Sequence, residues 1–197
     1  MNKTLHILVW TLSVAFCCLS VFAEEAGKEW QEVGAPKDVN RVLAHFPEGS
    51  VSDFTMMPMR DGVKLATSIF LPPGDGPWPV IFAKSPYGRF TMAGYARACK
   101  DGQFAFVIQD TRGRGDSEGK DSFEPDSFAA HIPDTADALA WIAAQPWCNG
   151  RIGIRGGSGN GIAAYTGFLS GSPHLTATSA GNSSGHSHYW MADNRVR

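Results

Sequence analysis

From residue 80 onward, short unbroken apolar runs alternate with longer stretches that are apolar on one side only. Val80-Ile81-Phe82-Ala83, Phe104-Ala105-Phe106-Val107-Ile108 and Ile152-Gly153-Ile154 have the length and composition of strands covered on both faces. Between them, Gly94 to Cys99 predicts a helix. Pro133 to Ala144 predicts a longer one, with Ala136, Leu139, Ala140 and Ala143 on one face. Pro133 near its start, Asp134 and Asp137 in its first turns and Pro146 beyond its end are matching start and stop signals. Gly161 to Leu169 predicts another helix and Leu175 to Ser179 a last strand. Upstream, Ser52 to Met59 and Lys64 to Leu71 are β-rich runs around Arg60-Asp61-Gly62, a hairpin signal. The pattern predicts an α/β fold, a mostly parallel sheet entered through an antiparallel N-terminal hairpin, with helices on both faces.

The first residues do not fit this pattern. Met1 to Ala23 carries Lys3, an apolar stretch from Ile7 to Leu19 and Val21-Phe22-Ala23 ahead of two glutamates, which reads as a signal peptide spanning 1–23. The expected location is therefore secreted or periplasmic, with no membrane attachment after cleavage. Residues 24–50 are polar, with a weak helical signal from Val39 to Ala44, and read as a lead-in to a domain over 51–197. Seventeen Lys and Arg against nineteen Asp and Glu give a net charge of −2, too mild to attract nucleic acid. Cys17 and Cys18 fall within the leader. Cys99 and Cys148 are no disulfide framework and are expected to be free thiols.

The segment Arg155-Gly156-Gly157-Ser158-Gly159-Asn160-Gly161 runs from a predicted strand directly into a predicted helix. A serine at such a corner suits a nucleophile. Small neighbours let the backbone turn sharply and leave the hydroxyl clear, and the following helix aims unsatisfied N–H groups at developing negative charge. The strict G-x-S-x-G spacing is not met, because Asn160 stands at +2 and Gly161 at +3. A tight structural connection is an open alternative. Gly159-x-Gly161-x-x-Ala164 formally fits a dinucleotide fingerprint, but Thr178 to Ser184 contains no acid to hold a ribose.

Four blocks extend this site: Met59-Arg60-Asp61-Gly62-Val63-Lys64-Leu65-Ala66-Thr67; Lys84-Ser85-Pro86-Tyr87-Gly88; Gln109-Asp110-Thr111-Arg112-Gly113-Arg114-Gly115-Asp116-Ser117-Glu118-Gly119; and Trp141 through Gln145-Pro146-Trp147-Cys148-Asn149-Gly150-Arg151 to Gly161. Their content and order resemble the N-terminal half of the X-Pro dipeptidyl-peptidase, cocaine esterase and α-amino acid ester hydrolase family. The resemblance covers about Ser52 to Arg197. It implies an α/β-hydrolase fold and a serine hydrolase acting on a small-molecule ester or peptide, without cofactor or metal. Ser158 would be the nucleophile, Gly159 N–H and the Tyr87 hydroxyl the oxyanion hole, and Gly156, Gly157 and Gly161 the elbow. The family often places tyrosine directly after the serine, where this chain has Gly159.

Other charged groups read as structural. Asp110, Arg112, Arg114, Asp116 and Glu118 alternate in sign and are expected to pair with one another, and Asp134 and Asp137 serve a helix start. His186-x-His188 lacks the companions of a metal site, and Trp141 and Trp147 read as packing aromatics. The triad order of an α/β-hydrolase is Ser, then acid, then His. After Ser158 the one acid is Asp193, and His174, His186 and His188 all precede it. The chain is therefore expected to be an N-terminal portion of a hydrolase, without the catalytic Asp and His, the cap or the C-terminal jelly-roll, and inactive by itself. The alternative from another class is a non-catalytic secreted remnant that binds an acyl ligand or a partner chain.

Overall fold

A computed structural model describes residues 36–121 and 128–183. The predicted leader over 1–23, most of the lead-in, and His186, His188 and Asp193 lie outside the described residues. Within them the chain forms helix α1 (Pro36–Leu43), strands β1 (Val51–Pro58), β2 (Lys64–Leu71) and β3 (Trp78–Ser85), and a 3-10 segment (Arg89–Cys99). Strand β4 (Ala105–Asp110), helix α2 (His131–Ala143), strand β5 (Cys148–Gly157), helix α3 (Gly159–Leu169) and strand β6 (Leu175–Gly181) follow.

The strands build one sheet in the order β1-β2-β4-β3-β5-β6. The β1/β2 and β2/β4 pairs are antiparallel, whereas β3 pairs in parallel with β4 and β5, and β5 with β6. Only β2 among them runs against the rest, as the predicted hairpin requires. Its turn closes where Gly62 N–H donates to Met59 O at 2.9 Å.

Alternation along the central strands splits the core into two layers. Ile69, Phe82, Val107 and Ile154 face Ala138, Leu139 and Ile142 of α2 and Ala164 of α3. Phe70, Ala83, Phe106 and Ile108 face Val39 and Val42 of α1 and Met92, Ala96 and Cys99 of the 3-10 segment. Both faces of β4 are thus covered, which is why its sequence is apolar without alternation. Trp147 is buried and Trp141 packs beside the first layer, in keeping with packing roles.

Several elements differ in extent from the sequence reading. The helix expected at Gly94 to Cys99 is a 3-10 segment starting at Arg89, entered by a three-residue bond from Thr91 N–H to Gly88 O at 3.1 Å. Strand β5 reaches back to Cys148 despite the turn-like Asn149-Gly150, because β3 offers it a partner from Trp78 onward. Helix α3 begins immediately after Ser158, and β6 continues to Gly181, level with Gly157. The last two differences bring the sheet and the helix to meet at the serine.

Candidate active site

Strands β3 and β5 lie side by side and point the same way, so the loops leaving their C-terminal ends come together. Such ends are where open α/β sheets bind ligands. Ser158 leaves β5 with φ 54 and ψ −128. A left-handed φ on a non-glycine residue costs on the order of 1–3 kcal/mol and persists only where its surroundings enforce it. Here Ser158 N–H donates to Gly181 O at 2.9 Å, and Ser158 O accepts from Ile162 N–H at 2.9 Å, so strand and helix grip the residue from both sides. Its side chain is exposed.

The flanking glycines answer to close approach. A Cβ on Gly156 would run into the backbone of Asn160 and stand 2.8 Å from Gly161 N. On Gly159 it would strike the Tyr87 hydroxyl and lie 2.7 Å from Tyr87 Cζ. A Cβ on Gly161 would lie 2.7 Å from both Gly181 O and Ser183 Oγ, but one on Gly157 would meet nothing nearer than the Tyr95 hydroxyl at 3.3 Å and Gly181 O at 3.7 Å, so Gly157 is the least constrained of the elbow glycines.

Tyr87 itself follows β3 by two residues. Its N–H donates to Ser85 Oγ at 3.1 Å, Ser85 Oγ shares a hydrogen bond with Thr91 Oγ1 at 3.0 Å, and Thr91 Oγ1 donates to Gly88 O at 2.7 Å. Tyr87 is 59% exposed, with its hydroxyl over Gly159, the first residue of α3. Glycine after the serine therefore makes room for Tyr87. The structure brings together Ser158, Gly159 and Tyr87, and no side chain among the described residues hydrogen-bonds the serine hydroxyl. A cleft of about 450 Å³ passes the elbow at Asn160, lined also by Thr91, Tyr95, Arg97 and Arg155, and includes neither Ser158 nor Tyr87.

The charged loop after β4 pairs outward more than within itself. Arg112 holds Asp134 of α2 at 2.6 Å and Asp61 of the hairpin turn at 2.8 Å, whereas Arg114 holds Asp121 of the same loop at 2.8 Å; beside the loop, Arg60 of the hairpin turn holds Asp137 of α2 at 2.6 Å. Glu118 accepts from Lys64 N–H at 3.0 Å. Asp110 and Asp116 both bind Arg89, a residue that the sequence did not single out. Its guanidinium is 1% exposed, donates to Asp110 Oδ2 at 2.7 Å, Asp116 Oδ2 at 2.6 Å and Ser68 Oγ at 2.9 Å, and lies over the Phe54 and Phe90 rings. Among the described residues no group of three or more His, Cys, Asp or Glu could hold a metal ion. Cys99 and Cys148 are free thiols, and burial pushes Cys99 up to about 12.

Lys84 opens one of the blocks that carry the resemblance, but the sequence assigns it no role. It is fully buried near the end of β3, where Nζ donates to Thr135 Oγ1 at 3.2 Å. Desolvation lowers its pKa from 10.5 to about 8, with Asp134 opposing the shift. The unfolded chain therefore holds this proton more tightly than the folded one between those values, and stability rises with pH there. Against Lys84→Met, the wild-type protein is expected to gain up to roughly 3 kcal/mol between pH 7 and 10.5, read by denaturant unfolding across that range. A pH-independent difference would mean that the ammonium is not desolvated.

Comparison with known proteins places the chain in a family of hydrolases. The family model described as X-Pro dipeptidyl-peptidase (S15 family) matches residues 61–197. Cocaine esterase from Rhodococcus sp. (strain MB1 Bresler) is 39% identical over 138 residues, which are 65% of this chain and 23% of that protein. An α-amino acid ester hydrolase structure superposes with a TM-score of 0.59 at 25% identity, over 75% of this chain and 26% of that one. An aminopeptidase from a marine sediment Thaumarchaeota archaeon gives 0.58 at 27% identity, over 78% and 28%. The chain thus spans about a quarter of the length of these relatives.

Proposed function

Because the chain belongs to the X-Pro dipeptidyl-peptidase (S15) family of hydrolases, we propose that Ser158 is the acyl-enzyme nucleophile for cleavage of an ester or peptide acyl bond, and that the chain is inactive until a base from outside the described residues is supplied. The observation that carries the reading is an exposed serine in a left-handed conformation at the end of β5, with the Tyr87 hydroxyl packed against the residue that follows it. Ser158 Oγ attacks the carbonyl carbon and its proton passes to a base. The carbonyl π electrons move onto oxygen, and Gly159 N–H and Tyr87 O–H stabilise that charge. Collapse re-forms the carbonyl and expels the protonated alcohol or amine, and water then releases the acid from the serine ester. No imidazole among the described residues is bonded to Ser158, and the base is proposed to come from outside them. The leader read over 1–23 supports export, and substrates of the outer compartment fit that placement.

Reaction with a fluorophosphonate followed by peptide mapping tests the assignment. The expected adduct is on Ser158 when that base is present, and a folded protein so supplied that is modified elsewhere, or not at all, would overturn it. Tyr87→Phe is expected to lower the acylation rate for a simple ester by roughly 10² to 10³, with little change in KM, because the donor is used in the transition state. An unchanged rate would remove Tyr87 from the oxyanion hole.

A further inference from the structure

Helix α3 rests on the sheet through small side chains. Its buried positions are Gly159, Gly161, Ala163, Ala164, Thr166 and Gly167. Gly167 sits so close to Ile154 that a Cβ would lie 2.8 Å from its Cγ2. Such a face permits close approach but offers few large knobs to fix rotation or sliding about the helix axis. A directional contact is needed where position matters, and Thr166 is the one polar residue on that face.

Thr166 Oγ1 lies 2.6 Å from Thr135 Oγ1 of α2, and Thr135 Oγ1 receives the hydrogen bond from Lys84 Nζ of β3. The two hydroxyls also lie 2.6 Å from Ala163 O and 3.0 Å from His131 O. Two hydroxyl hydrogens cannot serve both carbonyls and the link between the threonines. Lys84 in its charged form can only donate, so it takes one lone pair of Thr135 and ties β3 to that hydroxyl, whose hydrogen and second lone pair remain for His131 O and the Thr166 link. All three side chains are fully buried. The chain thus runs from the strand that leads to Tyr87, through α2, into the helix that begins at Gly159.

We infer that Lys84 is a positioning residue for the oxyanion hole, holding α3 in register with β3 through Thr135 and Thr166. This inference rests on the proposed role of Ser158, Gly159 and Tyr87, but the link itself is a property of the fold. It accounts for a buried ammonium that an apolar side chain of similar length is expected to replace without loss of stability.

The test uses the full chain with Lys84→Met, Thr166→Val, their combination and Thr166→Ser. Fluorophosphonate labelling at Ser158 is expected to slow roughly ten- to a hundredfold in each of the first two, as a small misplacement of reacting groups does. The combination should lose no more than the worse single variant, because both break one chain. Thr166→Ser keeps the hydroxyl and should label like wild type. The melting point of Lys84→Met should not fall, which separates positioning from general destabilisation. Wild-type labelling that persists at full rate in Lys84→Met overturns the inference and leaves the Ser158 reading intact. If wild type is not labelled at Ser158, that reading fails, and amide hydrogen exchange decides the link. Faster exchange over residues 156–162 in Lys84→Met without a lower melting point supports it, and unchanged exchange overturns it.

Discussion

Ser158→Ala is expected to lower acyl turnover by roughly 10⁶-fold, the loss that follows removal of a hydrolase nucleophile, and to leave the fold in place. Ser158→Gly should abolish turnover equally and also make the protein more stable. The reason lies in the backbone. At φ 54 and ψ −128, Ser158 occupies a conformation from which a Cβ is normally excluded. Alanine keeps that Cβ and the strain, so its stability should stay within about 0.5 kcal/mol of wild type. Glycine relieves the strain and should gain about 1 kcal/mol or more, after its own larger unfolded-state entropy is set against the relief. Ester turnover and denaturant unfolding on the same preparations check both parts. Equal stability of the alanine and glycine variants would show that the corner is not strained, and turnover surviving in either would remove Ser158 as nucleophile.

That corner was legible because its requirements are local. A strand run, a cluster of small residues with one serine, and an apolar helix lie within a few positions of each other, and each leaves its own mark on the sequence. The central strands were legible for a similar reason: Phe104 to Ile108 is apolar throughout because both faces of β4 are covered. Tyr87 was reached through the family resemblance, since nothing in its spacing from Ser158 says that β3 and β5 are neighbours. The role of Gly159 as the space that admits Tyr87 follows only once those strands are paired.

Neither Arg89 nor Lys84 has a role that the sequence assigns, although Lys84 opens one of the blocks that carry the resemblance. A charged residue is ordinarily a surface residue, so the default reading of either is solvated. Their burial depends on partners far along the chain: Asp110 and Asp116 for Arg89, Thr135 for Lys84. The same distance effect misdirected the reading of the loop after β4. Its alternating signs suggested internal pairing, but Arg112 reaches Asp134 and Asp61, because the hairpin turn and the start of α2 converge on that loop. Pairing by sequence proximity fails where the sheet order β1-β2-β4-β3 folds distant segments together.

Asp110→Ala is expected to cost about 3–5 kcal/mol, the range for stripping one partner from a buried ion pair. Asp110 ends β4 with its carboxylate enclosed. Oδ1 accepts from Arg89 N–H, and Oδ2 accepts from Arg89 Nη1 at 2.7 Å and from Asp116 N–H at 3.1 Å. Burial raises its pKa in spite of Arg89, so the pair is kept at a desolvation cost. Removing the carboxylate leaves a guanidinium that is 1% exposed with Asp116, whose side chain is 63% exposed, as its remaining carboxylate partner among these pairs. Asp116→Ala should therefore cost no more than about 1 kcal/mol. If the penalty of Asp110→Ala is a buried charge left with weaker pairing, then Arg89→Met in the same chain must recover part of it, and the double variant should be more stable than Asp110→Ala alone. Denaturant unfolding of the three variants decides this. A double variant at least as destabilised as the sum of its singles would place the loss in the hydrogen bonds from the Arg89 and Asp116 amides instead. In either case the segment from Tyr87 to Arg89 loosens, since Arg89 anchors it two residues beyond Tyr87, and acylation should fall along with stability in Asp110→Ala.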